Sequence, residues 1–291
     1  MKKITKWGIG LVMTLAVMFM AGQAGAVVLG YYSTGQLVPK VYHDGANVDT
    51  VVGLSCVNAT GCDVYWAFFD NNSTHITDGM IEMTENDYYG FSWMAESGVG
   101  LENVDGYLVF TSGDAAAGPA ATADIFANAF MVDTAGKDAV LVPVLPIFLD
   151  DYAPGTDLTS MDATSIISLA AGSPPGAVLD IRYWIDTAYS ATTDIVLWSV
   201  CDASGTYNIN IYNDEEGRKS VNFELPNQEL NIVDPSTIVG RPADYIDGFI
   251  RFTVPDGTCD LAAGDVNDMF VFSYVDSDLI GAMQTLLAGE Q

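Results

Sequence analysis

Val104-Asp105-Gly106-Tyr107-Leu108-Val109-Phe110-Thr111 returns as Ile246-Asp247-Gly248-Phe249-Ile250-Arg251-Phe252-Thr253, 142 positions further along a 291-residue chain. Four of the eight columns are identical and three are conservative exchanges. The same offset aligns Tyr65 with Tyr207, Asn71 with Asn213, Glu82 with Glu224, Gly98 with Gly240 and Asp114 with Asp256, without a gap from 65 to 114. Nine identities fall in those 50 columns, where ordinary residue usage supplies roughly three by chance. A repeat of this length exceeds a solenoid unit and points to two related domains.

Both halves consist of β-branched and aromatic runs cut by Gly, Asn, Asp and Pro, the signature of strands. Tyr207, Ile209 and Ile211 alternate with Asn208, Asn210 and Tyr212, which puts the first three on one buried face. Asn213-Asp214-Glu215-Glu216-Gly217 reads as a turn into Val221–Leu225, and Asp70-Asn71-Asn72 is its counterpart before Met80–Met83. Opening strands are expected at Val27–Tyr32 and Val178–Trp184. About seven short strands per half is the count of a β-sandwich. The expected fold is therefore all-β: two tandem related sandwiches, Ig-like or jelly-roll-like, at 27–150 and 177–291. Asp150–Gly155 and Ala171–Gly176 bracket an expected linker at 151–176. Short helices are expected at the domain ends, over Ser160–Ala171 and on the face formed by Leu279, Ile280, Met283, Leu286 and Leu287.

Residues 1–26 read as a signal peptide of bacterial type. Lys2, Lys3 and Lys6 form the basic region, Gly8–Met20 the apolar stretch, and Ala24-Gly25-Ala26 the small-residue cleavage site. The competing reading is an uncleaved anchor, because Val27, Val28 and Leu29 prolong the apolar run. No later stretch approaches the roughly 20 apolar residues of a spanning helix, so no membrane span is expected after cleavage. The formal charge is −28, and cleavage removes three lysines and no acid, leaving seven basic residues against 38 acids. Such a surface repels nucleic acid and anionic lipid. Four cysteines in an exported chain read as two disulfides. Cys56 and Cys62 flank a five-residue turn, and Cys201 and Cys259 both lie in the second half, so each pair is expected to close within one half.

Chemistry is harder to find. There are two histidines, no G-x-S-x-G and no H-E-x-x-H, and His43 and His75 read as exposed turn residues. The expectation is of no catalytic site and no cofactor, calcium aside. Asp256, Asp260, Asp265 and Asp268 gather on one acidic loop, and clustered hard oxygens are what Ca²⁺ takes, although the spacing follows no EF-hand. Tyr88, Tyr89, Phe91 and Trp93 are replaced by Leu230, Asn231, Val233 and Pro235 in the second half, so they form a candidate ligand platform unique to the first. The functional expectation is an exported non-enzymatic structural or adhesive protein of the cell surface, periplasm or medium. Its partners would be itself, other surface proteins or glycans. A carbohydrate- or ligand-binding module is the second reading and a secreted hydrolase the third.

Overall fold

A computed structural model describes residues 29–259 and 267–291. The signal-peptide segment 1–26 and Asp260 and Asp265 of the acidic loop lie outside them. The described residues are nearly all β, built into four antiparallel sheets.

The first half contributes β1 (Gly35–Val41), β2 (Val48–Cys56), β3 (Cys62–Asp70), β4 (His75–Met83), β5 (Tyr88–Ser92), a helical turn α1 (Trp93–Glu96), β6 (Gly106–Asp114), β7 (Gly118–Pro119), β8 (Ile125–Asp133), β9 (Asp138–Val142) and β10 (Leu145–Ile147). The second contributes β11 (Val178–Trp184), β12 (Ala191–Ser199), β13 (Gly205–Asn213), β14 (Arg218–Leu225), β15 (Leu230–Val233), β16 (Asp247–Thr253), β17 (Met269–Ser277), β18 (Ala282–Leu287) and β19 (Gly289–Glu290). In the first sandwich, sheet β10-β1-β6-β3-β4 faces sheet β5-β2-β8-β9; in the second, β19-β11-β16-β13-β14 faces β15-β12-β17-β18. Apart from β7, which pairs only with β6, the two orders are the same strand for strand.

The repeated Asp-Gly-aromatic segment opens β6 and β16, at the centre of corresponding sheets. Its glycine is required by a close approach. A Cβ on Gly106 would stand 2.2 Å from the Phe69 carbonyl oxygen, and one on Gly248 would stand 1.9 Å from that of Tyr212. With no Cβ in the way, the next residue pairs with that same neighbour. Tyr107 stacks on Phe69 at 4.9 Å between ring centroids, and Phe249 on Tyr212 at 4.5 Å. The acid has matching partners too: Asp105 meets Lys40 of β1, and Asp247 meets Arg182 of β11.

Strand pairing corrects the gapless alignment of the halves. Phe69 lies opposite Tyr107 and Tyr212 opposite Phe249, so β3 matches β13 at an offset of 143, not 142. A bulge supplies the extra residue: His75 pairs with Phe69 and Thr77 with Phe68, which leaves Ile76 without a partner. Tyr65 and Tyr207 are therefore not equivalent, since a one-residue slip moves a side chain to the opposite face. The opening strand also begins later than expected, at Gly35.

Neither expected helix forms. Residues 160–171 form turns and irregular backbone with one bridge, Ile166 to Tyr152. The sequence there contains two Asp-x-Thr-Ser-apolar units, Asp157–Met161 and Asp162–Ile166. Asp157 accepts from the Thr159 N–H and hydroxyl, and Asp162 does the same with Thr164. Side chains of this kind offer the backbone an alternative to the helical ladder. At the C-terminus, Ser277–Gly281 forms a turn and β18 pairs antiparallel with β17, because the sheet edge supplies backbone partners that a docked helix would forgo.

Three cores hold the molecule together. One lies inside the first sandwich around Trp66, Phe68, Phe91, Trp93 and Phe110. A second lies inside the other sandwich around Ile181, Tyr183, Leu197, Phe223 and Phe252. The third joins the sandwiches: Phe69, Tyr107 and Val109 of the first half pack with Val196, Trp198, Phe270 and Phe272 of the second. Residues 151–176, expected as a linker, send Leu158, Met161, Ile166 and Leu169 into this third core.

Candidate functional surfaces

The junction between the sandwiches holds a strongly perturbed acid. Glu229 sits immediately before β15, is buried, and accepts a 2.5 Å hydrogen bond from the Tyr107 hydroxyl. Burial pushes its pKa from 4.5 to about 8, against the opposing effect of the Tyr107 bond. Burial and the adjacent Glu229 together drive the Tyr107 phenol well above its ordinary value. Trp198 closes the pair from above, edge-on to Tyr107 at 5.8 Å. Outside Glu229 a cleft of about 230 Å³ opens, lined by Ala163, Thr164, Asp202, Gln228, Thr258 and the Cys201–Cys259 disulfide.

A second bond crosses the junction. Lys40 is buried, with its ammonium 3.2 Å from Asp194 of β12 and 3.5 Å from Asp105. Burial works against its charge, but the two carboxylates outweigh that cost and hold its pKa above the ordinary lysine value. Both links tie one sandwich to the other.

The proposed aromatic platform divides. Phe91 and Trp93 are fully buried in the first core, where Phe68 and Trp66 pack on Trp93. They are therefore unavailable for stacking a ligand. The reason is local: Asp49 accepts from the Ser92 hydroxyl (2.7 Å) and the Met94 N–H (2.8 Å), which fixes α1 and turns Trp93 inward. Tyr88 is 68% exposed, and Tyr89 is half-buried with its hydroxyl 3.2 Å from Glu96. His43 is buried, contrary to its reading as an exposed turn residue: its Nε2 is 3.0 Å from the Ser97 hydroxyl. His75 is half-buried and 3.4 Å from Asp78.

Of the acidic loop, Asp256 is exposed, while Asp268 is half-buried and accepts from the Leu169 N–H at 3.1 Å. Burial raises the Asp268 pKa. Among the described residues no group of three or more metal-ligating side chains is brought together. Also among the described residues, no helix is long and apolar enough to cross a membrane. Both disulfides form as expected, Cys56–Cys62 and Cys201–Cys259.

Sequence reasoning missed a concave site at the end of the second sandwich. Trp184 ends β11, and Tyr189 follows in a short turn capped by Asp186, with the two rings 5.6 Å apart. Asn213, Asp214, Glu215, Asp244, Ile246 and Asp247 complete a cleft of about 500 Å³. A flat indole beside carboxylates and an amide suits a polyhydroxylated ligand, which stacks on one side and donates on the other. The signal lay in the sequence, as an aromatic at a strand end followed by Asp-Thr-Ala-Tyr, but separated segments had to meet before it read as a site.

No family model matches this chain, and no curated protein matches it. Among solved structures, a Pleurotus ostreatus lectin in its apo form aligns over 91% of this chain and 80% of its own, with 10% identity and a TM-score of 0.18. A likeness at that level carries no argument about fold or function.

Proposed function

We propose that this chain is an exported, non-enzymatic structural or adhesive protein of a cell surface, in which the two sandwiches act as one rigid body. The third core carries the reading. Two domains joined by a flexible linker would each keep a solvated outer face, whereas here Trp198, Phe270 and Phe272 of one are buried on Phe69 and Tyr107 of the other. The Lys40–Asp194 and Tyr107–Glu229 bonds then fix the angle between them. A stiff, disulfide-tied, strongly acidic body suits durability outside the cell, where thiols oxidise. The test is fractionation of cells producing the full chain into cytoplasm, periplasm, surface and medium, with electron microscopy of the surface fraction. Recovery on the surface as ordered material supports the reading; a processed protein confined to the periplasm overturns it.

The Trp184–Tyr189 cleft favours a second reading, binding of a glycan. Titrating neutral oligosaccharides while following tryptophan fluorescence tests it. Saturable binding that Trp184→Ala abolishes supports this reading, and flat titrations across a glycan panel remove it.

A further inference from the structure

We propose that copies of this chain stack head to tail, the outer face of sheet β14-β13-β16-β11-β19 of one copy seated on the outer face of sheet β5-β2-β8-β9 of the next. The proposal rests on the structural reading above and names the surfaces through which such a protein would assemble.

The argument is continuity with the contact already present inside the molecule. There, sheet β10-β1-β6-β3-β4 of the first sandwich meets sheet β15-β12-β17-β18 of the second. By strand order, the first of these corresponds to the outward sheet of the second sandwich, and the second to the outward sheet of the first. The two faces left open on the molecule are thus the counterparts of the two faces that its own junction joins.

Residues at the matching positions carry the chemistry. At the junction, Trp198 lies between Leu230 and Phe270 on neighbouring strands. On the open face, Ser55 lies between Tyr88 and Phe126 in the same registration. Phe130 (42% exposed) and Leu141 (49% exposed) extend this face across β8 and β9. Tyr88 lies flat on the sheet, because its hydroxyl covers Gly53 and occupies the space a Cβ would need (2.3 Å). It therefore presents a ring face outward. Opposite, at the other end of the molecule, the stacked Tyr212–Phe249 pair occupies the positions of the stacked Phe69–Tyr107 pair. The first pair is half-buried, and the second is covered completely by the junction.

Of the seven basic residues in 27–291, Arg182, Arg218 and Arg251 lie on the Tyr212–Phe249 face, where Arg182 pairs with Asp247 and Arg251 with Asp180. The guanidinium of Arg251 sits 5.7 Å from the Tyr212 ring and 5.8 Å from that of Phe249. Two different faces that complement each other form a heterologous contact, and a heterologous contact that does not close propagates as a filament.

Sedimentation velocity of the secreted chain over a concentration series tests this. The wild type is expected to form an open series of oligomers. Phe249→Glu blocks one face and Phe130→Glu the other, and each alone is expected to be monomeric with an unchanged near-ultraviolet circular dichroism spectrum. Mixed in equal amounts, they retain one compatible pair of faces and are expected to stop at a dimer. Ser55→Trp restores the side chain found at the junction and is expected to strengthen association by about tenfold. A wild type that stays monomeric at every concentration overturns the proposal, as does either single variant still dimerising alone, which signals a symmetric contact. Neither result bears on where the protein resides, so fractionation judges the structural reading separately.

Discussion

Phe69–Tyr107 and Tyr212–Phe249 are the same stacked pair set twice by an Asp-Gly-aromatic strand, yet one lies in the deepest part of the junction and the other on the outside. The difference arises one strand position away. Val109 and Leu37 flank the first pair, where the second has Arg251 and Asp180 joined by a 2.8 Å ion pair. Facing them, Trp198 stands where the first sandwich has Ser55. The scaffold is thus common to both sheets, and a few side chains decide which face is buried within the molecule.

The largest effect that tests this comparison is expected at Trp198. Trp198→Ala should cost about 3–5 kcal/mol in urea unfolding, because it leaves a cavity in the third core that flanking strands cannot fill. Ser55→Ala, at the matching position, should change stability by less than about 0.5 kcal/mol. Equal costs would break the contrast between the faces.

The disulfides sharpen it next. Cys201–Cys259 closes 58 residues and Cys56–Cys62 only six. On loop entropy, removing the first by double Cys→Ala should cost about 4 kcal/mol and removing the second about 2 kcal/mol. The longer bridge also lines the junction cleft, so its loss should increase hydrogen exchange around Glu229.

Glu229 adds a pH dependence that belongs to the junction alone. Its folded pKa, about 8, lies above its ordinary 4.5. Between those values the folded protein keeps a proton that the unfolded chain has released, so this contribution to stability is full below about 4.5 and declines as pH rises towards 8. Glu229→Gln stays neutral and still accepts from Tyr107. It should flatten the decline and gain on the order of 3 kcal/mol over wild type by pH 8. Parallel stability–pH curves for the two proteins would show that Glu229 is solvated.

The smallest effect is expected on the open face. Phe249→Ala should lower monomer stability by about 1 kcal/mol or less, against several for Tyr107→Ala, when both are measured in dilute solution.

Much of this fold was legible from residues alone. Alternation in Tyr207–Tyr212 correctly assigned the inner face of β13, and the Asp-Gly-aromatic repeat marked the central strand of a sheet in each half. The cysteine pairs followed from proximity and from the division into halves. The bulge at Ile76 escaped because an alignment at a single offset has no means of registering an unpaired residue. Trp93 stands out in the sequence because Pro235 takes its place in the second half, and that difference carries no sign of direction; only the Asp49 bonds to α1 turn it inward. Glu229 could not be picked out among 38 acids, since burial is a property of what surrounds a side chain.

Local sequence set the all-β class, the in–out pattern of strands such as β13 and the cysteine pairs, because those depend on neighbours a few residues apart or on simple spacing. Tertiary structure alone decided that the halves share a third core, that residues 151–176 fill it, and that one stacked pair is buried while its counterpart is not. Those outcomes depend on which sheet face meets which, and the side chains that settle it are brought together from positions as distant as Tyr107 and Glu229.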